Sequence, residues 1–300
     1  MKRKKSKKSN SKFEKDLKNK TILITGGAGS VGTVLTKRIL SYSVKSVRVL
    51  DIDEHALFKL GREVKNPKLR LLLGSILDKD RVNMAANNVD IIIHCAAIKN
   101  IEISEYNPIE TINTNVNGTV NLIKAAINNA PIKFINISTD KAAEPSTLYG
   151  TTKQLSEKTI TWAGNYISNA KFATVRLGNI FETRGNVMEV WRKEKKENLP
   201  LSITDPLMKR YFFHVDEAVS FILNCLPMIK AGEIFIPKMK LYKIKDLADK
   251  FSKKQKIIGL RQGEKFEEVL LSKSEKERAI EKSDLWIINP EKTIKSVNFS

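Results

Sequence analysis

The sequence predicts an α/β protein built on a doubly wound parallel sheet, with a smaller C-terminal substrate-binding lobe. Three observations carry this. Strand-like apolar runs alternate with helical patterns over the first 180 residues. One such run, residues 22 to 25, leads into Gly26, Gly29 and Gly32 and then into a helical pattern through Leu40. A second run, residues 46 to 50, ends on an acid, Asp51.

The glycine loop places the first element of function. Gly26 suits a tight turn, Gly29 a close approach of backbone to a pyrophosphate, and Gly32 close packing of helix on strand. The helix start at Ser30 and Val31 offers N–H groups and a positive dipole end to phosphates. Asp51 can accept both adenosine-ribose hydroxyls and would repel a 2′-phosphate, which favours NAD over NADP. This is the signature of a Rossmann domain. Further strands are expected near residues 69–73, 89–95, 132–137 and 172–177, and helices over 108–129 and 147–168. Beyond Gly178 the alternation breaks down. The expected division is a basic tail at 1–18 that does not order, an NAD-binding domain at 19–180 and a substrate-binding lobe at 181–300. A helix at 215–226 would pack back on the first domain, and the charged segment from about 275 would dock only loosely.

The chain has 300 residues, enough for a substantial core, and a formal charge of +20. Residues 1–12, MKRKKSKKSNSK, are almost free of apolar side chains and cannot bury enough surface to order. They read as a solubilising tail ahead of a nucleic-acid or anionic-membrane contact. Cys95 and Cys225 sit in apolar runs and read as buried thiols, which fits a reducing cytoplasm. No apolar stretch is long enough to span a bilayer, and no secretory signal is expected. No spaced His, Cys and acid cluster points to a metal.

The densest chemistry lies at residues 138–153, STDKAAEPSTLYGTTK. The preceding run, residues 133 to 138, reads as a buried strand, so Thr139, Asp140 and Lys141 stand at a strand's carboxyl end, where open α/β sheets bind ligands. Tyr149 and Lys153 share one helix face. A cationic Lys153 would lower the Tyr149 pKa from about 10 and make it a base near neutral pH.

With these pieces in place the chain resembles the extended short-chain dehydrogenase/reductases, and more narrowly the soluble UDP-N-acetylglucosamine 4,6-dehydratases of polysaccharide and flagellin-sugar biosynthesis. The resemblance spans about residues 19 to 272. It rests on TGGAGSVG (25–32), EYNPIETINTNVNGTVNLI (105–123), STDKA with LYGTTK, VRLGN (175–179), TRGNV (183–187), ITDPLMKRYF (203–212), GEIFIPKM (232–239) and RQGEK (261–265). Sugar epimerases generally lack the Asp-Lys pair. The membrane-anchored dehydratases carry Met where this chain has Tyr149, so the likeness is to the soluble branch that inverts carbon 5.

The resemblance implies a cofactor set of Thr25, Gly26, Gly29, Ser30, Val31, Gly32, Asp51, Ser75, Ile76, Ala96, Ala97, Lys99, Tyr149 and Lys153. It implies a substrate set of Lys99, Asn179, Arg184, Arg210, Arg261 and Glu264, with Arg210 and Arg261 at the UDP pyrophosphate. Ser75 departs from the pattern, since relatives carry an Asp there. Glu182 and Glu189 add charge beside the expected sugar pocket. His94 reads as a core histidine. The helices at 108–129 and 147–168 commonly form a dimer interface in this family, so a homo-oligomer is implied.

The implied catalytic set is Thr139, Asp140, Lys141, Tyr149 and Lys153. Oxidation at carbon 4 of a UDP-sugar makes the carbon-5 proton acidic. Lys141, if neutral, can remove that proton, and Asp140, if protonated, can deliver one to the departing carbon-6 hydroxyl. The two groups need opposite pKa shifts, which one dry pocket can supply. A UDP-sugar 4-epimerase would need Tyr149, Lys153 and NAD but no carbon-5 base. A non-catalytic dinucleotide-binding scaffold would not need the Tyr-Lys pair.

Overall fold

A computed structural model describes residues 12–181, 183–261 and 263–290. The chain begins with α1 (Phe13–Leu17), β1 (Thr21–Thr25), α2 (Ser30–Leu40), β2 (Ser46–Asp51), α3 (Glu54–Glu63), β3 (Leu69–Leu73), α4 (Lys79–Ala86) and β4 (Ile91–His94). The next stretch is helical: α5 (Ile101–Tyr106), α6 (Pro108–Ile112), a π turn at Asn113–Asn117 and α7 (Gly118–Asn129). Then come β5 (Lys133–Thr139), α8 (Leu148–Tyr166), β6 (Lys171–Leu177), β7 (Asn179–Ile180), α9 (Val187–Lys196), β8 (Leu201–Ile203), β9 (Lys209–Phe213) and α10 (Val215–Cys225). The last elements are β10 (Glu233–Pro237), β11 (Lys240–Lys243), α11 (Ile244–Ala248), β12 (Gln255–Ile257), α12 (Lys273–Arg278), β13 (Ala279–Glu281) and β14 (Leu285–Ile288).

Nine strands form one sheet in the order β13-β14-β10-β6-β5-β4-β1-β2-β3. All pairs from β10 to β3 are parallel, and β14 and β13 join antiparallel at the other edge. Strand order reverses between β1 and β4, which opens a crevice at their carboxyl ends. β1 and β4 are buried along their whole length, as a parallel sheet covered on both faces requires. Leu35 and Ile39 of α2 and Ala218 and Ile222 of α10 cover one face. Leu122 and Ala126 of α7 and Ile160 of α8 cover the other. β7, β9 and β11 form a small second sheet, and β8 pairs with β12. This lobe has its own core around Trp191, Phe212 and Ile244.

Two expectations are corrected. Residues 13–17, assigned to an unordered tail, form α1, because Phe13 and Leu17 are one turn apart and both enter the main core. Lys133 anchors this helix through Asp16 and the Leu226 carbonyl. The rest of the tail, residues 1–11, lies outside the described residues. The segment beyond 275 is not loosely docked either. It supplies β13 and β14 to the main sheet, with Leu285, Ile287 and Ile288 buried. The sheet therefore takes three strands from beyond residue 180. No helix among the described residues is long and apolar enough to cross a membrane.

Candidate active site

The crevice between β1 and β4 holds the glycine loop. Gly26 has φ +64°, and a side chain there would strike the backbone of Ala96 at 2.6 Å. A side chain on Gly32 would strike the Gly26 carbonyl at 2.4 Å. Both positions therefore need glycine for packing. Gly29 differs: a Cβ there would meet only the Gly26 carbonyl, at 3.0 Å, so its outer side is open to a ligand. Gly29 caps α2 without a side-chain hydrogen bond, leaving N–H groups near Ser30 and Val31 for an anion. Asp51 stands beside the loop and accepts from the N–H groups of Ala28 (3.0 Å) and Asp53 (3.1 Å). These features fit a dinucleotide.

Beside it, β5 ends at Thr139 and the chain turns through a short 3-10 helix, Asp140–Ala142. α8 starts nearby, capped by the Thr147 hydroxyl. A Cβ on Gly150 would lie 2.5 Å from the Lys141 carbonyl, so the bare glycine lets the first turn of α8 press against the strand end. That contact brings Tyr149 close to Thr139. The Thr139 hydroxyl donates to Asp140 Oδ1 (2.9 Å), and Lys141 Nζ lies 3.1 Å from the same oxygen. Asp140 is fully buried, and its Oδ2 has no hydrogen-bond partner. Such an orphaned oxygen is costly unless a bound molecule satisfies it.

Burial lowers the Lys153 pKa to about 8, against the pull of Glu157 one turn further along α8. Tyr149 departs from expectation. Loss of water raises its pKa, the Thr139 hydroxyl lowers it and the Asp140 charge raises it further. Desolvation dominates in this arrangement.

Residues 22–290 match the polysaccharide biosynthesis protein family. The chain belongs to this family. It is 41% identical over 288 residues to an uncharacterized membrane protein of Methanocaldococcus jannaschii, covering 91% of this chain and 86% of that one. It is 38% identical over 277 residues to a UDP-N-acetylglucosamine 4,6-dehydratase (inverting) of Campylobacter jejuni, covering 90% and 83%. The X-ray structure of Pen from Bacillus thuringiensis superposes with a TM-score of 0.89 at 35% identity, covering 92% and 89%.

Thr25 and His94 form a buried pair (2.7 Å), and the second His94 nitrogen meets Thr119 (3.1 Å). Burial drives the His94 pKa down to about 3, so it is a neutral core side chain. Ile76 packs under Gly118, Ser75 caps its own turn through the Leu77 N–H, and Ala96 and Ala97 follow β4 at the crevice. Arg184, expected at the substrate, lies against the glycine loop. Its N–H donates to Ser30 (2.9 Å), its guanidinium to the Ala28 carbonyl (3.0 Å), and Lys99 holds its carbonyl (2.9 Å). Arg210 is buried and donates to the Lys209 and Phe266 carbonyls. Arg261 is exposed and pairs with Glu102 (2.9 Å), while its N–H occupies the Glu264 carboxylate (3.0 Å). Asn179 opens β7 and pairs with Phe212 of β9. Glu182 lies outside the described residues, and Glu189 accepts from the Gly185 N–H.

Sequence reasoning missed three features. Asn115, in the π turn, holds the Ile98 backbone at both N–H (2.8 Å) and carbonyl (2.9 Å) and reaches Thr152 (3.0 Å), tying the β4 loop to α8. A π turn has no signature in residue spacing. Arg176, fully buried in β6, makes paired bonds to Glu157 (3.0 and 2.6 Å) and Glu275 (2.9 and 2.8 Å). Glu268 is buried 3.8 Å from Lys141.

Proposed function

We propose that this protein is a UDP-N-acetylglucosamine 4,6-dehydratase that works through bound NAD, inverts carbon 5 and yields a UDP-4-keto-6-deoxy sugar. The observation that carries the reading is the Asp140–Lys141 pair, its carboxylate fully buried, beside Thr139 and Tyr149 at a strand end. The family and the likeness to the Campylobacter jejuni enzyme support it. Asp51 supports NAD over NADP, since neither of its neighbouring N–H donors removes its charge.

The chemistry a bound nicotinamide supplies is reversible hydride acceptance, from carbon 4 and back to carbon 6. Tyr149 takes the carbon-4 hydroxyl proton while Thr139 hydrogen-bonds that oxygen. Lys153, charged below its pKa of about 8, favours the phenolate once substrate fills the site. The new ketone acidifies carbon 5. Lys141 then takes the carbon-5 proton, and Asp140 delivers a proton from Oδ2 to the carbon-6 hydroxyl, which leaves as water. Once carbon 6 is reduced, a solvent-derived proton enters carbon 5 on the face opposite Lys141, which inverts the centre. Arg210 and Arg261 serve the UDP end, and Arg184 and Lys99 close over the cofactor loop. The protein works as a homo-oligomer through the helices at 108–129 and 147–168, supported by exposed Ile109, Ile112, Ile127, Leu155, Trp162 and Tyr166 on them. It acts in the cytoplasm.

Incubation with UDP-N-acetylglucosamine in deuterium oxide, followed by NMR, tests the reading. A 4-keto-6-deoxy product carrying deuterium at carbon 5 is expected. UDP-N-acetylgalactosamine without any ketone would move the assignment to a 4-epimerase. NAD binding with neither product would leave a dinucleotide-binding scaffold.

A further inference from the structure

We propose that Glu268 completes the elimination centre as the positioning residue and counter-charge for Lys141, an inference that rests on the dehydratase reading above. Lys141 Nζ lies between two buried carboxylates, Asp140 at 3.1 Å and Glu268 at 3.8 Å. They cannot play the same part. An Asp140 that protonates a leaving hydroxyl carries its proton before elimination, so it offers Lys141 no negative charge at that moment. Glu268 does.

The backbone around Glu268 is clamped on both sides. Ahead of it, the Phe266 carbonyl accepts from the Lys209 N–H (2.7 Å) and from Arg210 (3.2 Å). Behind it, the Leu270 carbonyl accepts from Arg176 (2.9 Å). The same segment is pinned to the turn that carries Asp140 and Lys141, because Ser146 donates to the Gly263 carbonyl (2.7 Å) and Lys265 to the Glu144 carbonyl. A carboxylate on so rigid a support fixes where the lysine amine can point.

The charges around Glu268 come from three directions. Lys141 and Asp140 face it from the 3-10 turn, Arg210 from β9, and Lys265 from its own segment. Burial pushes its carboxyl upward, as does Asp140 while ionised, and the three cations offset this only in part. During elimination the carbon-5 C–H bond breaks and its proton forms an N–H bond on Lys141. The electron pair becomes the carbon-5 to carbon-6 double bond as the carbon-6 C–O bond breaks, and hydroxide leaves as water with the Asp140 proton. Glu268 gains and loses nothing. It faces an amine before the step and a forming ammonium during it, so its charge stabilises the transition state more than the ground state. The orienting acid of a serine-protease triad acts on its histidine by the same logic.

The test uses the full chain with NAD bound and compares wild type, Glu268→Gln and Glu268→Asp on UDP-N-acetylglucosamine in deuterium oxide. Carbon-4 oxidation is read from nicotinamide absorbance, carbon-5 exchange from NMR, and UDP-sugar binding from calorimetry. Glu268→Gln should keep binding and oxidation but slow carbon-5 exchange by about 10²-fold, and Glu268→Asp should recover part of the loss. Wild-type exchange in Glu268→Gln would overturn the proposal. So would a joint fall of binding, oxidation and exchange in both variants, which would make Glu268 a structural support. Wild-type protein that forms no ketone would instead bring down the dehydratase reading itself.

Discussion

Replacing Glu157 by Gln should separate electrostatic tuning from structural support in the buried charge cluster. Glu157 lies one turn from Lys153 on α8 and is held by both arms of Arg176 (3.0 and 2.6 Å). It is the largest influence keeping Lys153 charged against burial. Side chains one turn apart are separated by about 6 Å. Two unit charges at that distance interact by about 3 kcal/mol at an effective dielectric near 20, or roughly two pK units. Arg176 cancels part of this field, which leaves a shift on the order of one unit. The sign follows from the charge: without Glu157 the ammonium is less favoured, so Lys153 loses its proton at lower pH. Wild-type turnover should fall as pH rises through about 8, and the variant's alkaline limb should lie on the order of one unit lower. Glu275→Gln is the control. It breaks the same buried cluster, at 2.9 and 2.8 Å from Arg176, but Glu275 stands on α12 and not one turn from Lys153 on α8. Each change should cost about 3–5 kcal/mol of stability, seen as a lower melting temperature. Equal limb shifts in both variants, or none in Glu157→Gln, would refute the argument.

Three further outcomes are expected. Lys141→Ala should oxidise carbon 4 and then stall, with nicotinamide absorbance rising on mixing, whereas Tyr149→Phe should show no such rise; each should cost about 10²–10⁴-fold in product formation, and near wild-type product from Lys141→Ala would pass the base role to another group, Lys99 being the first to test. Asp51→Ser should narrow the preference for NAD over NADP in a binding titration, and equal affinity of wild type for both cofactors would remove the basis for that preference. Deleting residues 2–11 should leave turnover unchanged, while Phe13→Ala should lower stability by about 3–5 kcal/mol in chemical denaturation, because Phe13 is packed into the core.

What was legible in the sequence was local. β1 and β4 are continuous apolar runs, the glycine loop joins strand to helix within a few residues, and Tyr149 and Lys153 are one turn apart, so each could be read within a short window. α1 was missed because two apolar side chains in a charged run carry too weak a period to announce a helix. β13 and β14 were missed because three or four residues among charges resemble a solvated tail until β10 offers them an edge. The Tyr149 pKa was misjudged because sequence shows the neighbouring cation but not the depth of burial.

The charge cluster is a different case, because it left a trace that could have been followed. Arg176 sits in KFATVRL, a strand whose other positions past Lys171 are all buried. A guanidinium cannot enter such an environment unpaired, so the sequence alone required a partner for it. It did not say which of 33 acids would serve. The answer lies 19 residues back on α8 and 99 residues ahead on α12. Arg176 thereby fastens the C-terminal segment to the helix that carries Tyr149 and Lys153. Its bond to the Leu270 carbonyl fastens the Glu268 segment as well. One charged residue in an apolar strand thus marks the joint at which α8, the Glu268 segment and the C-terminal segment are held in register.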